Sequence, residues 1–114
     1  MKQSEKEKLT EDEIESEDIP SEYWADKEFV LESVKSSGMD LEYVSDELKA
    51  DKEIVLEAVK SSGWALEYAS DKLKADREIV LEAIKNRGKL VLDCASEELK
   101  NDPEFLEIIA NLNR

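Results

Sequence analysis

DKEIVLEAVKSSGWALEYASDKLKA, residues 51–75, decides the fold, because close copies of it lie directly before and directly after it. The copies share an aspartate at the start and an internal glycine, each recurring every 25 residues: Asp26, Asp51 and Asp76; Gly38, Gly63 and Gly88. A fixed period of this size is typical of an array built from one small supersecondary unit. The chain is therefore predicted to be a repeat protein.

The central copy predicts a long helix followed by shorter ones. Asp51 is a strong N-cap, and the apolar residues after it fall on one broad face of a helix: Ile54, Val55, Ala58 and Val59. Gly63 is expected to end this helix in the left-handed C′ conformation. A second, shorter helix is predicted over 64–69. Ser70 is a new N-cap, which starts either a separate short helix or a continuation of the second.

No single unit can bury so wide an apolar face, so the units are expected to stack. The predicted fold is all-α, a short helical-repeat solenoid of about three and a half 25-residue units. Its parts are a mobile acidic tail (1–18), a half-unit cap (19–25), three repeats (26–50, 51–75 and 76–101) and a C-terminal helix (102–114). The aromatic residues are expected to pack between units: Trp24, Tyr43, Trp64 and Tyr68.

The third repeat departs from the pattern after Gly88, where it holds one residue more than the other copies. Matching Leu66 to Leu92 and Ala69 to Ala95 places Cys94 in the position of Tyr43 and Tyr68. The turn at Gly88 must therefore absorb the extra residue.

Composition limits the classes of function. With 30 acidic against 16 basic residues, the net charge is −14, which repels phosphate backbones and anionic lipid surfaces, so direct nucleic-acid binding is disfavoured. No stretch resembles a membrane span or a secretory signal, and a cytoplasmic monomer is expected. The sequence contains no histidine and a single cysteine, which removes the usual metal and haem ligands and any internal disulfide.

The residue pattern of the repeat resembles that of a known family. The pattern D-[KR]-E-[FI]-V-L-E-[SA]-[VI]-K-x-x-G, followed by L-E-Y-[VA]-S-D-x-L-K, is similar to the helical repeat family catalogued as domain of unknown function four-one-one-six. The likeness covers residues from about 19 to 110. It implies a helical repeat and supplies no catalytic residues, because that family has no established activity.

The sequence offers few candidate catalytic or metal-binding residues. Cys94 is the only nucleophile worth weighing, but its neighbours are Asp93 and Ala95 and no histidine can activate it, so it is interpreted as structural filler. The carboxylates recur with the repeat instead of gathering at one place, as a catalytic or hard-metal site would require. We therefore expect no enzymatic activity, no cofactor and no metal.

Stacking of the units predicts rows of charge on the outer face. Six glutamates form the candidate partner-binding residues: Glu28, Glu53 and Glu78 from a first row that Glu104 continues, and Glu32, Glu57 and Glu82 in a second. Each second-row glutamate is expected to form a weak ion pair with the lysine three residues later. The leading hypothesis is a non-enzymatic protein–protein interaction module that binds a basic or amphipathic protein segment. The alternatives are a structural or spacer array with no discrete ligand, and an acidic decoy that mimics nucleic acid.

Overall fold

The computed structural model describes residues 19–112, and within that range the regular elements are all helical. The α-helices are α1 (Lys27–Ser36), α2 (Asp46–Lys49), α3 (Lys52–Ser61), α4 (Asp71–Lys74), α5 (Arg77–Arg87), α6 (Glu97–Lys100) and α7 (Pro103–Leu112). Helices of the 3₁₀ type lie at Tyr23–Ala25, Gly38–Tyr43, Gly63–Tyr68 and Lys89–Cys94. The predicted all-α helical-repeat fold is confirmed. The predicted mobile tail (1–18) and the end of the predicted helix 102–114, residues 113–114, lie outside the described residues.

Aspartate N-caps fix where the long helices begin. The Asp51 carboxylate accepts hydrogen bonds from the backbone N–H groups of Glu53 (3.0 Å) and Ile54 (3.3 Å). Asp76 does the same one repeat later, at 2.9 and 3.2 Å. These bonds satisfy N–H groups that have no acceptor inside the helix. The aspartate spacing in the sequence therefore becomes the spacing of the long helices.

Serine caps separate the two short helices of each repeat. The hydroxyl oxygens of Ser45, Ser70 and Ser96 each accept a hydrogen bond, at 3.3 Å, from the backbone N–H three residues later. The residue before each serine is extended; Ala69, for example, has φ −72° and ψ 160°. The short α-helix is therefore a separate element, which resolves the alternative that the sequence left open, and the helix before it is of the 3₁₀ type.

Gly63 does not adopt the expected left-handed conformation, and that prediction is wrong. Among residues 19–112, positive φ occurs at Gly88 alone. Gly63 is buried where the next repeat approaches closely: a Cβ at this position would lie 2.5 Å from the carbonyl oxygen of Ala83. Its backbone N–H donates to Oδ1 of Asn86, also in the next repeat, at 2.7 Å. The glycine is thus required by the contact between repeats.

The extra residue of the third repeat is absorbed at the predicted turn. Helix α5 has 11 residues where α3 has 10, and it ends at Gly88 with φ 98° and ψ 179°. The following 3₁₀ helix starts at Lys89 and again spans six residues. Cys94 therefore ends its 3₁₀ helix as Tyr68 ends the one before, as the alignment predicted.

The core runs along the stacked long helices, since α1 packs on α3 and α3 packs on α5. The apolar face predicted for the central repeat is fully buried at Ile54, Val55, Ala58 and Val59. Backbone hydrogen bonds also join successive units: Ser45 N to Trp24 O, Ser70 N to Lys49 O and Ser96 N to Lys74 O, at 2.9, 3.1 and 3.0 Å. Between residues 19 and 112, no polar side chain is fully buried. Apolar packing and backbone hydrogen bonds therefore join successive units, in addition to the bond from Gly63 N–H to Asn86.

Aromatic residues cover the N-terminal end of the stack. The Trp24 side chain is buried, and its ring lies 5.3 Å from that of Phe29 and 5.6 Å from that of Tyr43. Tyr43, Trp64 and Tyr68 are half-buried against the core. Packing between units is therefore confirmed for Trp24 and Tyr43, while Trp64 and Tyr68 pack against the core.

The C-terminal helix is less covered than the helices before it. Phe105 and Ile109 of α7 are buried, but Leu106 is 37% exposed. Val80 is the equivalent residue in α5, and it is fully buried because α7 follows that helix. The apolar face of α7 is therefore only partly covered by the described chain.

Candidate protein-interaction surfaces

The first row of glutamates takes part in ion pairs between repeats. Lys27 Nζ lies 3.0 Å from Asp51 Oδ2 and 3.0 Å from Glu53 Oε1 of the next unit. Lys52 repeats the arrangement with Asp76 at 3.2 Å and Glu78 at 2.9 Å. Arg77 repeats it again with Asp102 and Glu104. We call these pairs the ladder; in each, a cation at the start of one long helix reaches forward to the start of the next.

The ladder shifts the pKa values of Asp51 and Lys27. Burial alone would raise the pKa of Asp51, but the Lys27 ammonium and the backbone N–H groups of Ile54 and Glu53 together hold it below its usual range. Hydrogen bonds to Glu53 and Asp51 raise the pKa of Lys27. Both partners therefore remain charged across the neutral range.

The ladder divides the first row of candidate residues. Glu53 and Glu78 each have a lysine from the preceding unit. Glu28 is exposed, and within residues 19–112 no cation lies within ion-pair distance of it. Two of the three candidate residues from the first row thus serve the joint between repeats, and of these three only Glu28 remains open to a partner.

The second row is less fully paired. Glu32 is exposed and Glu57 is half-buried, and within the described range neither has a cation within 4.0 Å. Each glutamate of the second row was predicted to pair with the lysine three residues later. Among residues 19–112 only one such pair forms, between Glu82 and Lys85 at 3.7 Å. The three carboxylates occupy equivalent positions on α1, α3 and α5. The second row therefore presents one carboxylate per repeat on adjacent helices.

A cleft that the sequence interpretation missed lies between the second and third repeats, beside Cys94. Its volume is about 650 Å³. It is lined by Glu67, Asp71, Lys74, Asp93, Cys94, Ala95, Ser96, Glu97 and Lys100. The signal available in the sequence was the small Cys94 at a position that holds tyrosine in the two preceding repeats.

Cys94 has the electrostatics of an unreactive thiol. Burial raises its pKa, and Glu67 and Asp93 raise it further, while Lys74 and Lys100 act in the opposite direction. The thiol is therefore protonated at neutral pH, and a thiolate nucleophile is disfavoured. Tyr68, at the equivalent position, also has a raised pKa, because of burial and then of Glu42 and Glu67. Cys94 and Tyr68 thus each lie near a glutamate of the preceding repeat, Glu67 and Glu42 respectively.

Residues 19–112 contain neither a metal-binding cluster nor a membrane-spanning helix. In that range, no group of three or more His, Cys, Asp or Glu side chains has an arrangement that could hold a metal ion. No described helix combines the length and apolar character needed to cross a bilayer.

Comparison with known families agrees with this architecture. The family model described as Domain of unknown function (DUF4116) matches three overlapping stretches, residues 26–74, 51–92 and 76–114. The chain belongs to this family. The matches begin at Asp26, Asp51 and Asp76, the N-caps of the long helices, and the resemblance noted from the sequence is confirmed. Searches of curated proteins and of solved structures gave no match.

Proposed function

We propose that this DUF4116 protein is a non-enzymatic interaction module that binds a basic segment of another protein along its second row, Glu32, Glu57 and Glu82. The observation that supports this is the contrast between the two rows. The first-row Glu53 and Glu78 are held by lysines of the preceding repeat, whereas Glu32 and Glu57 have no such partner in the described chain. Carboxylates left unpaired at the same place in successive repeats favour an external cation.

The distance between carboxylates of the second row matches the repeat distance of one peptide conformation. Packed helices lie about 8–10 Å apart, so equivalent carboxylates on adjacent long helices have a similar separation. A polyproline II segment has three residues per turn and rises about 9 Å over them. Lysine or arginine at every third residue of such a segment would meet one carboxylate per repeat. The proposed partner is thus a basic segment with this periodicity.

A direct test uses two capped nine-residue peptides in 0.15 M salt. One has arginine at every third position among prolines; the other has the same composition with its three arginines adjacent. We expect the native protein to bind the spaced peptide at least threefold more tightly, and the triple variant Glu32→Gln, Glu57→Gln, Glu82→Gln to weaken that binding about tenfold. The expectation follows from three exposed ion pairs of about 0.2–1 kcal/mol each.

A matched control removes three charges elsewhere. Glu47, Glu98 and Glu107 are exposed, and within residues 19–112 no ion pair involves them. Changing all three to glutamine makes the net charge less negative by the same three units and should alter the affinity less than twofold. Equal losses in the two triple variants would show that overall charge is responsible, not the second row. If the native protein binds neither peptide, the spacer hypothesis replaces the interaction hypothesis.

A further inference from the structure

The cleft lies beside Cys94, at a position where the two preceding repeats have a tyrosine. Tyr43, Tyr68 and Cys94 each end the 3₁₀ helix of their repeat. At the first junction, the Tyr43 ring packs 5.6 Å from Trp24 of the preceding unit, and at the second junction Tyr68 is half-buried beside that unit. Cysteine is much smaller than tyrosine, and at the third junction a cleft of about 650 Å³ opens beside it.

The charged residues that line the cleft have equivalents of the same charge at the junction between the first and second repeats. The acidic positions Glu67, Asp71, Asp93 and Glu97 correspond, one repeat earlier, to Glu42, Asp46, Glu67 and Asp71. The basic positions Lys74 and Lys100 correspond to Lys49 and Lys74. The surroundings that accept a tyrosine at one junction are therefore retained at the next, where the tyrosine itself is absent.

The rim of the cleft is acidic. Lys100 Nζ lies 3.1 Å from Glu97, so this pair is largely neutralised within the chain. Glu67, Asp71 and Asp93 have no ion pair within the described residues, and Lys74 is the one remaining cation of the lining. Residues beside an incoming ring would therefore be favoured if they were positively charged.

We infer that this cleft binds a single aromatic side chain, tyrosine or phenylalanine, of a protein segment whose flanking residues are basic. The ring would occupy the position that Tyr68 fills at the preceding junction, and the flanking cations would face Glu67, Asp71 and Asp93. This inference rests on the proposed function in assuming a basic protein partner, but it uses residues that lie outside the second row.

The test uses the capped tripeptide Arg-Tyr-Arg, with Arg-Ala-Arg as the peptide control, titrated against ¹⁵N-labelled protein. We expect saturable shifts of the amide signals of Cys94, Ser96 and their neighbours, with at least fivefold weaker binding of Arg-Ala-Arg. Cys94→Tyr fills the cleft and should weaken Arg-Tyr-Arg binding at least tenfold. Cys94→Ala leaves the cleft open and should change the affinity less than twofold.

A second variant tests the inference by gain of binding. Tyr68→Cys opens the matching cleft between the first and second repeats and should raise the stoichiometry from one tripeptide to two. This arm remains informative even if thermal melting shows that Cys94→Tyr is unfolded. Absence of binding by the native protein, native-like binding by folded Cys94→Tyr, or equal binding of Arg-Ala-Arg would each overturn the inference.

The second-row variant separates this inference from the proposed function. Glu32→Gln, Glu57→Gln, Glu82→Gln should lose the spaced arginine peptide but bind Arg-Tyr-Arg as the native protein does. Loss of both peptides in that variant would contradict an independent cleft. If only the spaced arginine peptide fails to bind the native protein, the proposed function is wrong at the second row while the cleft stands.

Discussion

The turn after the long helix can be compared in repeats 51–75 and 76–101. Both turns contain a glycine, at positions 63 and 88, but the two glycines meet different physical demands. Gly63 is buried, and a Cβ there would lie 2.5 Å from the backbone of the next helix. Gly88 is exposed with φ 98°, and nothing lies within 4 Å of the position a Cβ would take. The first needs the absence of a side chain, and the second needs a backbone conformation that glycine alone adopts readily.

This difference shows that identical spacing does not guarantee an identical role. The extra residue in the third repeat shifts Lys89 into the position of Gly63 at the start of the 3₁₀ helix. Gly88 is then the inserted residue, and it lies between α5 and the 3₁₀ helix with φ 98°. A periodic glycine in a repeat protein can therefore mark a contact between neighbours in one copy and a turn in another.

Gly63→Ala should produce the largest effect on stability. The new methyl group meets the Ala83 carbonyl oxygen and the Arg87 side chain, so α5 must move away from the second repeat. Overpacking of this kind destabilises by about 3 kcal/mol. Urea unfolding followed by circular dichroism measures the change in the free energy of unfolding. A loss below about 0.5 kcal/mol would show that the joint between these repeats is loose, contrary to close packing of protein interiors.

Gly88→Ala should have a smaller effect, with a different cause. No atom obstructs the methyl group, but an L-residue is strained at this φ, at a cost of about 1–2 kcal/mol. A semisynthetic protein with D-alanine at position 88 separates the two causes, because a D-residue favours positive φ. It should match the native stability in the same urea experiment. Equal destabilisation by L- and D-alanine would indicate a steric cause and remove the contrast with Gly63.

Much of this architecture was accessible from the sequence. Asp51 and Asp76 marked the starts of the long helices, and Ser70 marked the start of the last short helix without deciding whether it was separate, because capping chemistry is local. The role of Gly63 could not be read in the same way, because its demand comes from Ala83, twenty residues away and across a packed interface. Turn chemistry alone predicted the left-handed form, and tertiary contact overrode it.

The candidate surfaces were predicted less completely. The two glutamate rows followed from the repeat, but pairing Glu53 with Lys27 required knowing that a long helix reaches forward to the next unit. The cleft depended on the size of Cys94 relative to Tyr68. The sequence shows that substitution but not the space it leaves.

The ladder is a feature that all three joints share, and its removal should give the smallest effects. Lys27→Gln and Arg77→Gln each remove a cation while leaving the aspartate N-cap intact, and both should lower stability less than Gly88→Ala, since exposed ion pairs contribute little. Similar losses for the two variants would support a joint that is unchanged across the array. A loss confined to one variant would show that the two joints differ as the two turns do.

Acid pH distinguishes the ladder from the turns. The pKa values of Asp51 and Asp102 are lowered in the folded protein by their ladder cations and by backbone N–H groups, against an opposing effect of burial. Such groups stabilise the fold above the unfolded pKa of about 3.9, and this stabilisation is lost as pH falls through the lower folded value. Urea midpoints between about pH 5 and 2 should therefore fall less steeply in Lys27→Gln and Arg77→Gln than in the native protein. An unchanged pH dependence of the urea midpoint in Lys27→Gln and Arg77→Gln would contradict the ladder. Gly88→Ala, which lies outside the ladder, should show the same pH dependence as the native protein.

Each repeat contains both halves of its own joint, a forward cation and a receiving pair of carboxylates. An internal duplication of residues 51–75 would therefore bring Lys52 to reach the following unit and Asp51 with Glu53 to receive the preceding one. The array can be lengthened by whole units without compensating substitutions elsewhere. Helix α7 differs, because Pro103 stands at the cation position, so extension of the same joint beyond it requires a lysine or arginine there. A duplicated unit can therefore continue the ladder within the array but not past α7.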